Sequence, residues 1–332
     1  MTPEEYVKKL LPPNEKPHCH SATAFAPSNI ALCKYWGKRD VLLNLPVNSS
    51  LSISLGNKGT TTTVTLSETS EHQLTVNQQP ITNDKPMAKR LWRFVNYCMP
   101  DKKYPLHIAS ESNIPLAAGL ASSASCFASL VLALNTFFGW QLTEKTLSLL
   151  ARLGSGSACR SFWPGFVEWK RGDDPYGFDS YAYPLQIEWP ELCIGLLLFS
   201  STPKPYSSTE AMNITVETSP LYDTWPATVE KHMALIKKAL QNKDFQLFGG
   251  TAEANALAMH HTMQAANPSI DYSLPETILY YEKIHQLRKE GVPVYFTQDA
   301  GPNLKILFER QWYQAIYEAL GPMDVVELAC PV

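Results

Sequence analysis

Apolar and polar positions change rhythm several times along the chain. LSISL at 51–55, TTTVTL at 61–66 and QLTV at 73–76 alternate or carry β-branched residues, with turn residues between them, and read as strands. A helical pattern covers about 84–99, and the strand LHIASES follows at 106–112. After a stretch of small residues, 122–138 is hydrophobic on most of its circumference, the mark of a buried helix. The Pro- and Trp-punctuated stretch 173–191 is the best candidate for a boundary. Beyond it come the buried strand LCIGLLLF at 192–199 and helical segments at about 226–241, 243–263 and 276–290. Strands PVYFTQ (293–298) and LKILFE (304–309), a helix at 311–320 and a strand near DVVEL complete the pattern. Strands mixed with helices in both halves predict an α+β protein with two layers per domain. The expected division is an N-terminal extension at 1–20, a first domain at 21–190 and a second at 191–332.

Composition narrows the function more than the fold. The 332 residues, 45% hydrophobic and 18% charged, suit two fused domains and argue against disorder. A formal net charge of −3 offers no overall attraction for nucleic acid or acidic lipid, so any anion must be captured by a local site. Seven cysteines without C-x-x-C spacing point to a reducing compartment. The first twenty residues lack an apolar signal-peptide core. The longest apolar run, Cys126 to Trp140, is broken by Ser129, Asn135, Thr136 and Gly139 and is too short for a bilayer. A cytoplasmic protein is expected, with no nucleic acid or membrane partner.

The most informative stretch is Pro115-Leu-Ala-Ala-Gly-Leu-Ala-Ser-Ser-Ala-Ser125, between a strand and the buried helix. Gly119 and its small neighbours let backbone N–H groups approach an anion, and the helix N-terminus adds about half a positive charge. A Ser-rich N-cap on a core helix has a similar composition. There is no Gly-Lys-Ser/Thr, so this is not a Walker A loop. The run Pro-x-x-x-Gly-Leu-x-Ser-Ser-Ala resembles the phosphate motif of the GHMP family of small-molecule kinases. That resemblance implies ATP held by Ala118, Gly119, Leu120, Ala121, Ser122, Ser123 and Ser125, with the Ser123 hydroxyl toward Mg²⁺.

Four further segments refine the resemblance. In Ala26-Pro-Ser-Asn-Ile-Ala-Leu-Cys-Lys-Tyr-Trp-Gly-Lys38, two cations four residues apart flank a phenol and suit a multiply charged diphosphate. Gly154-Ser-Gly-Ser-Ala-Cys-Arg-Ser161 combines a small-residue cradle with an arginine fork that matches a carboxylate. Ser207-Ser-Thr-Glu-Ala-Met212 and Thr297-Gln-Asp-Ala-Gly-Pro-Asn303 follow. Taken alone, an Asp in Asp-Ala-Gly-Pro is a turn former. In this order the set is similar to the diphosphomevalonate decarboxylase branch of that superfamily, from about Ala22 to Asn303.

The resemblance implies catalytic roles for Asp299, Arg160 and Lys34. It implies substrate contacts from Tyr35, Trp36, Gly37, Lys38, Lys85, Ser155, Gly156, Ser157, Ala158, Cys159, Arg160, Ser208 and Thr209. Relatives usually have Gly where Ala211 stands, many bacterial ones have Arg at Thr209, and an aromatic residue often precedes the aspartate where this chain has Gln298. A polar neighbour at that position is expected to lower the pKa of Asp299 or reposition it. The implied fold is the GHMP-kinase fold, with an N-terminal ribosomal-protein-S5-domain-2-like domain and a C-terminal ferredoxin-like domain. The implied reaction is ATP-dependent decarboxylation of mevalonate 5-diphosphate, with Mg²⁺, by a homodimer. A superfamily kinase that stops at phosphorylation, and a ligand sensor without turnover, are the alternatives. The pair His260-His261 invites a metal reading, but adjacent helical residues point about 100° apart and cannot chelate as an i, i+4 pair does.

Overall fold

The computed structural model describes the chain except residues 14–15, 100–103, 115–121, 201, 203 and 328–332. Its first half comprises α1 (Pro3–Leu10), β1 (Ser21–Cys33), a small hairpin of β2 (Lys38–Asp40) and β3 (Leu45–Pro46), β4 (Ser50–Leu66), β5 (Gln73–Val76), β6 (Gln79–Ile81), α2 (Pro86–Cys98), β7 (Leu106–Ser112), α3 (Ser122–Phe138), α4 (Glu144–Gly154), β8 (Phe166–Trp169) and β9 (Ala182–Pro184). The second half follows as β10 (Leu192–Leu197), α5 (Ser208–Thr218), α6 (Trp225–Asn242), α7 (Phe245–Gln264), α8 (Pro275–Lys289), β11 (Val294–Gln298), β12 (Leu304–Glu309), α9 (Tyr313–Leu320) and β13 (Asp324–Glu327).

One mixed sheet runs in the order β6-β5-β7-β4-β8-β9, with β1 paired along β4. The two strands expected at 51–55 and 61–66 are a single strand. β1 pairs with both ends of β4, Ser21 through Pro27 against Thr65 through Gly59 and Asn29 onward against Ser54 onward. A register shift between Pro27 and Asn29 absorbs the bend at the polar Gly56–Gly59 stretch, so the turn expected there does not form. β1 itself gave no periodic signal. Its second half is buried on both faces, and it carries Pro27 and Asn29. The other sheet is wholly antiparallel, in the order β11-β12-β10-β13.

Helix α3 is buried nearly all round, as its composition predicts. Ala128, Leu130, Val131, Ala133, Leu134 and Phe137 are fully enclosed. Its buried hydroxyls are satisfied from the sheet: Ser125 pairs with Thr60 at 2.8 Å and Ser129 with Thr62 at 2.7 Å. Helix α7 has no clear polar face because it is covered on several sides. It packs on α6, β1 and β11, and its Phe248, Ala252, Met259 and Met263 share one core with Ile30 and Leu32 of β1 and Leu192 and Ile194 of β10. That shared core brings the C-terminal ends of β1 and β11 together, where Thr297 Oγ1 donates to the Ala31 carbonyl at 3.3 Å. Two strands from opposite halves of the sequence therefore end side by side.

Candidate active site

Lys34 follows β1 directly, and its backbone is fixed from two directions. Its N–H donates to Asn255 of α7 at 2.8 Å, and Asn48 donates to its carbonyl at 2.9 Å. Asp299 follows β11 in a turn that is heavily tied down. Gly301 N–H returns to the Asp299 carbonyl at 2.7 Å, and the Asn303 side chain bonds the backbone of Phe199 and Ser200. The two side chains meet with Lys34 Nζ 2.8 Å from Asp299 Oδ1. Lys305, pointing in from β12, stands 3.1 Å from Oδ2.

These groups lie in a cleft of about 340 Å³. Among the described residues Lys34, Lys38, Arg90, Arg160 and Lys204 line it, against one acid, Asp299. The chain's overall negative charge thus conceals a strongly cationic cavity, suited to a polyanion. Burial brings the Lys34 ammonium down to about 8, even though Asp299 acts in the opposite direction. Lys38 also falls to about 8, first through burial and then through Arg90 and Arg93. Burial by itself would raise the Asp299 carboxyl. Lys305 and Lys34 outweigh it and hold the group well below the usual carboxylate range. Gln298 is not the cause: it is buried beneath the turn, donating to the Gly301 carbonyl at 2.8 Å and accepting from the Tyr281 hydroxyl.

Arg160 ends a 3-10 turn, Gly156–Arg160, and is 2% exposed. Its fork donates to Ser50 Oγ at 2.5 Å and Asn29 Oδ1 at 3.3 Å, and it sits 5.8 Å from the Trp169 ring centre. Among the described residues no carboxylate forms an ion pair with it, and Asp299 acts on it only across the cleft, so its charge remains available to a ligand. Gly156 lines the cleft against Tyr35: a Cβ on Gly156 would come within 2.8 Å of the Tyr35 ring. Among the described residues the Tyr35 hydroxyl is buried without a hydrogen-bond partner, a donor suited to a ligand oxygen.

Two helix N-termini face the cleft. Ser123, in the first turn of α3, lines it and pairs with Ser155 Oγ at 3.2 Å. At α5, Ser207, Ser208 and Thr209 line it, with Ser207 and Glu210 forming a capping box. Partial positive charge at both ends adds to the cationic field. Lys204 bridges this edge to the Asp299 turn, donating to Ser208 Oγ at 3.2 Å and the Ala300 carbonyl at 2.5 Å.

Of the residues singled out in the sequence, Lys34, Tyr35, Trp36, Lys38, Ser123, Ser155, Gly156, Ser157, Arg160, Ser208, Thr209 and Asp299 line the cleft together. Gly37 lies behind it with φ +111°, where a Cβ would strike the Tyr222 hydroxyl. Ala158 and Cys159 are fully buried, and Ser125 is enclosed between α3 and the sheet. Lys85 is exposed at the start of α2, and it is Arg90, further along that helix, that lines the cleft. Ala118, Gly119, Leu120 and Ala121 lie outside the described residues, and Ser122 opens α3. His260 is buried, with Nε2 3.2 Å from the Asp299 carbonyl, while His261 is exposed. Among the described residues no cluster of three His, Cys, Asp or Glu could hold a metal. Sequence reasoning missed Asn29, Arg90, Lys204 and Lys305. Asn29 lies inside the Ala26–Lys38 segment already singled out, and the Ser207-x-x-Glu210 capping box signalled the start of α5.

The two sheets, their helices and a phosphate-suited cleft define the class: this is the GHMP-kinase fold, with S5-like and ferredoxin-like halves. The model of the diphosphomevalonate decarboxylase-like N-terminal domain matches residues 26–182, and that of the mevalonate 5-diphosphate decarboxylase C-terminal domain matches 194–324. The chain belongs to the diphosphomevalonate decarboxylase family. It is 37% identical over 312 residues to diphosphomevalonate decarboxylase mvd1 of Aspergillus fumigatus, covering 87% of this chain and 77% of the relative. Mevalonate diphosphate decarboxylase from Staphylococcus aureus superposes with a TM-score of 0.87 at 34% identity, covering 94% of this chain and 96% of that one. MDDEF in complex with MVAPP, AMPPCP and magnesium superposes with 0.85 at 37% identity, covering 92% and 96%. Among the described residues no helix is long and apolar enough to cross a membrane.

Proposed function

We propose that the protein converts mevalonate 5-diphosphate and ATP to isopentenyl diphosphate, ADP, phosphate and CO₂. The observation that carries this reading is the Asp299 carboxylate, held between Lys34 and Lys305 at a cleft whose other charged lining residues, among those described, are all cations, the buried Arg160 among them. The names of its relatives and the ligands of the MDDEF complex support it.

Lys38, Arg90, Tyr35, Ser155, Ser157 and Ser208 grip the diphosphate. That distant grip aligns the tertiary 3-hydroxyl with the γ-phosphoryl group, so remote binding energy contributes to rate. Asp299 orients the hydroxyl. An ionised carboxylate of depressed pKa takes a proton poorly from a free alcohol. In a loose phosphoryl transfer the proton need leave only late, once the oxygen is bonding to phosphorus and has become acidic. Lys34 offsets charge on the transferring group. The phosphorylated C3 oxygen then departs with its bonding electrons. Arg160 holds the carboxylate so that the C–C electron pair collapses toward C3, forming the alkene and releasing CO₂. Electrons leave with phosphate, so no organic electron sink is needed.

The donor set fits Mg²⁺ in one way. The Ser123 hydroxyl lines the cleft, and among the described residues no acidic cluster could hold a metal, which suits an ion carried mainly by nucleotide phosphates. When bound, Mg²⁺ neutralises charge on the phosphates. The division at 21–190 and 191–332, residence in the cytoplasm and a homodimeric state complete the proposal.

The deciding test supplies purified protein with ATP, Mg²⁺ and mevalonate 5-diphosphate. Equal amounts of ADP and CO₂ are expected. ADP without CO₂ makes the protein a kinase that stops at the phosphorylated intermediate, and neither product refutes the substrate.

A further inference from the structure

Lys305 is an anomaly in its strand. Leu304, Ile306, Leu307 and Phe308 around it are fully buried apolar residues, and Lys305 is itself 1% exposed. An ammonium stripped of water that thoroughly is sustained by a counter-charge. Here the counter-charge is Asp299 Oδ2, at 3.1 Å.

The two lysines on Asp299 are not equivalent. Lys34 lines the cleft and holds Oδ1, whereas Lys305 does not line it. Oδ2 is enclosed by protein and makes no aligned hydrogen bond among the described residues, so Lys305 holds it as an ion pair at 3.1 Å, yet 24% of the Asp299 side chain is exposed. That exposure therefore falls on the rest of the side chain, whose other polar atom is Oδ1. We propose that Lys305 is a positioning residue for the decarboxylase reaction, pinning Oδ2 from behind so that Oδ1 meets the substrate 3-hydroxyl. The inference rests on the function proposed above. In the step it serves, the hydroxyl O–H bond breaks, a proton joins Oδ1, the oxygen forms its bond to the γ-phosphorus, and ADP leaves with the electrons of the broken P–O bond.

Lys305 also bears on the charge of the base. Asp299 is faced by Lys34 from the end of β1, Lys305 from β12, Arg160 from the 3-10 turn, Lys204 from the segment before α5 and the buried His260 from α7. Burial pushes the His260 imidazole down to about 4, so it stays neutral at ordinary pH. Of these groups Lys305 lowers the Asp299 pKa most. Removing its ammonium leaves burial opposed mainly by Lys34, so the carboxyl shifts upward and the acid limb of kcat moves to higher pH.

The test is Lys305→Met in the full chain. Its kcat should fall by about 10-fold or more near neutral pH, with the acid limb raised by at least ~1 pH unit. KM for both substrates should stay within ~3-fold, because Lys305 touches neither. Titration of the ¹³C-labelled Asp299 carboxyl, assigned through Asp299→Asn, should show the same upward shift without substrate. An unshifted carboxyl and an unchanged pH profile overturn the proposal. If the wild type releases no CO₂, the function fails separately, and the carboxyl titration still decides the role of Lys305. If Lys305→Met does not fold, the double variant with Asp299→Asn is decisive: recovery of folding supports the pairing, and no recovery overturns it.

Discussion

Replacing Asp299 by Asn removes one charge and keeps the shape, so its consequences can be worked out separately. The wild-type carboxylate neutralises Lys34 and Lys305, which are 2% and 1% exposed. Breaking a buried ion pair by deleting one partner costs about 3–5 kcal/mol, because the other charge stays buried. With an unfolding entropy of ~2.1 cal/mol/K per residue, 332 residues give ~0.7 kcal/mol/K, so the melting temperature should fall by roughly 4–7 °C. The loss should depend on pH with a definite sign. In the fold Lys34 already titrates at about 8, below its ordinary value, and without Asp299 it falls further. Between the folded and unfolded pKa the unfolded chain binds more protons, so the variant regains stability as pH rises through that window. Turnover should fall by at least ~10²-fold through loss of the base, while KM for the anionic substrate should not rise, because the cleft gains net positive charge. Thermal melts at several pH values, beside steady-state ADP release, measure all three effects. Near-normal turnover refutes the assignment of the base, and a pH-independent stability loss refutes the electrostatic account.

Arg160→Met should raise KM and lower kcat together, by roughly 10–100-fold in kcat/KM, since charge-assisted hydrogen bonds are worth about 1.5–3 kcal/mol. Steady-state kinetics with no change in either parameter would remove Arg160 from the site. The pH profile of kcat/KM, which reports the free protein, should fall above pH 8 as Lys34 and Lys38 lose their protons. The profile of kcat should hold to higher pH, because bound polyanion favours the ammonium forms. Superimposable basic limbs for the two would contradict that reading.

Much of the site was legible because its parts are local. A Gly-Ser cradle, an Arg beside it, two lysines around a tyrosine and an Asp-Ala-Gly-Pro turn each carry their chemistry in a few adjacent residues. Helices α3, α6 and α7 were equally visible, through apolar composition or periodicity. Elements without such a signal were not. Strand β1, buried on both faces in its second half, shows no alternation, and the single strand β4 looks like two because polar residues interrupt it.

What the sequence by itself determined is the inventory: which side chains could bind phosphate, hold a carboxylate or accept a proton, and that the fold is α+β. Tertiary structure alone decided which of them work together and in what state. Lys34 and Asp299 lie 265 residues apart and meet because α7 packs the ends of β1 and β11 into one core. Arg90 joined the cleft and Lys85 did not, since a helix face is set by what it packs against. The depressed pKa of Asp299 came from Lys305 together with Lys34, and the sequence shows Lys305 only as a lysine in an apolar strand, with nothing to say that it meets Asp299. Charge states follow from distance and burial, and both are properties of the packed molecule.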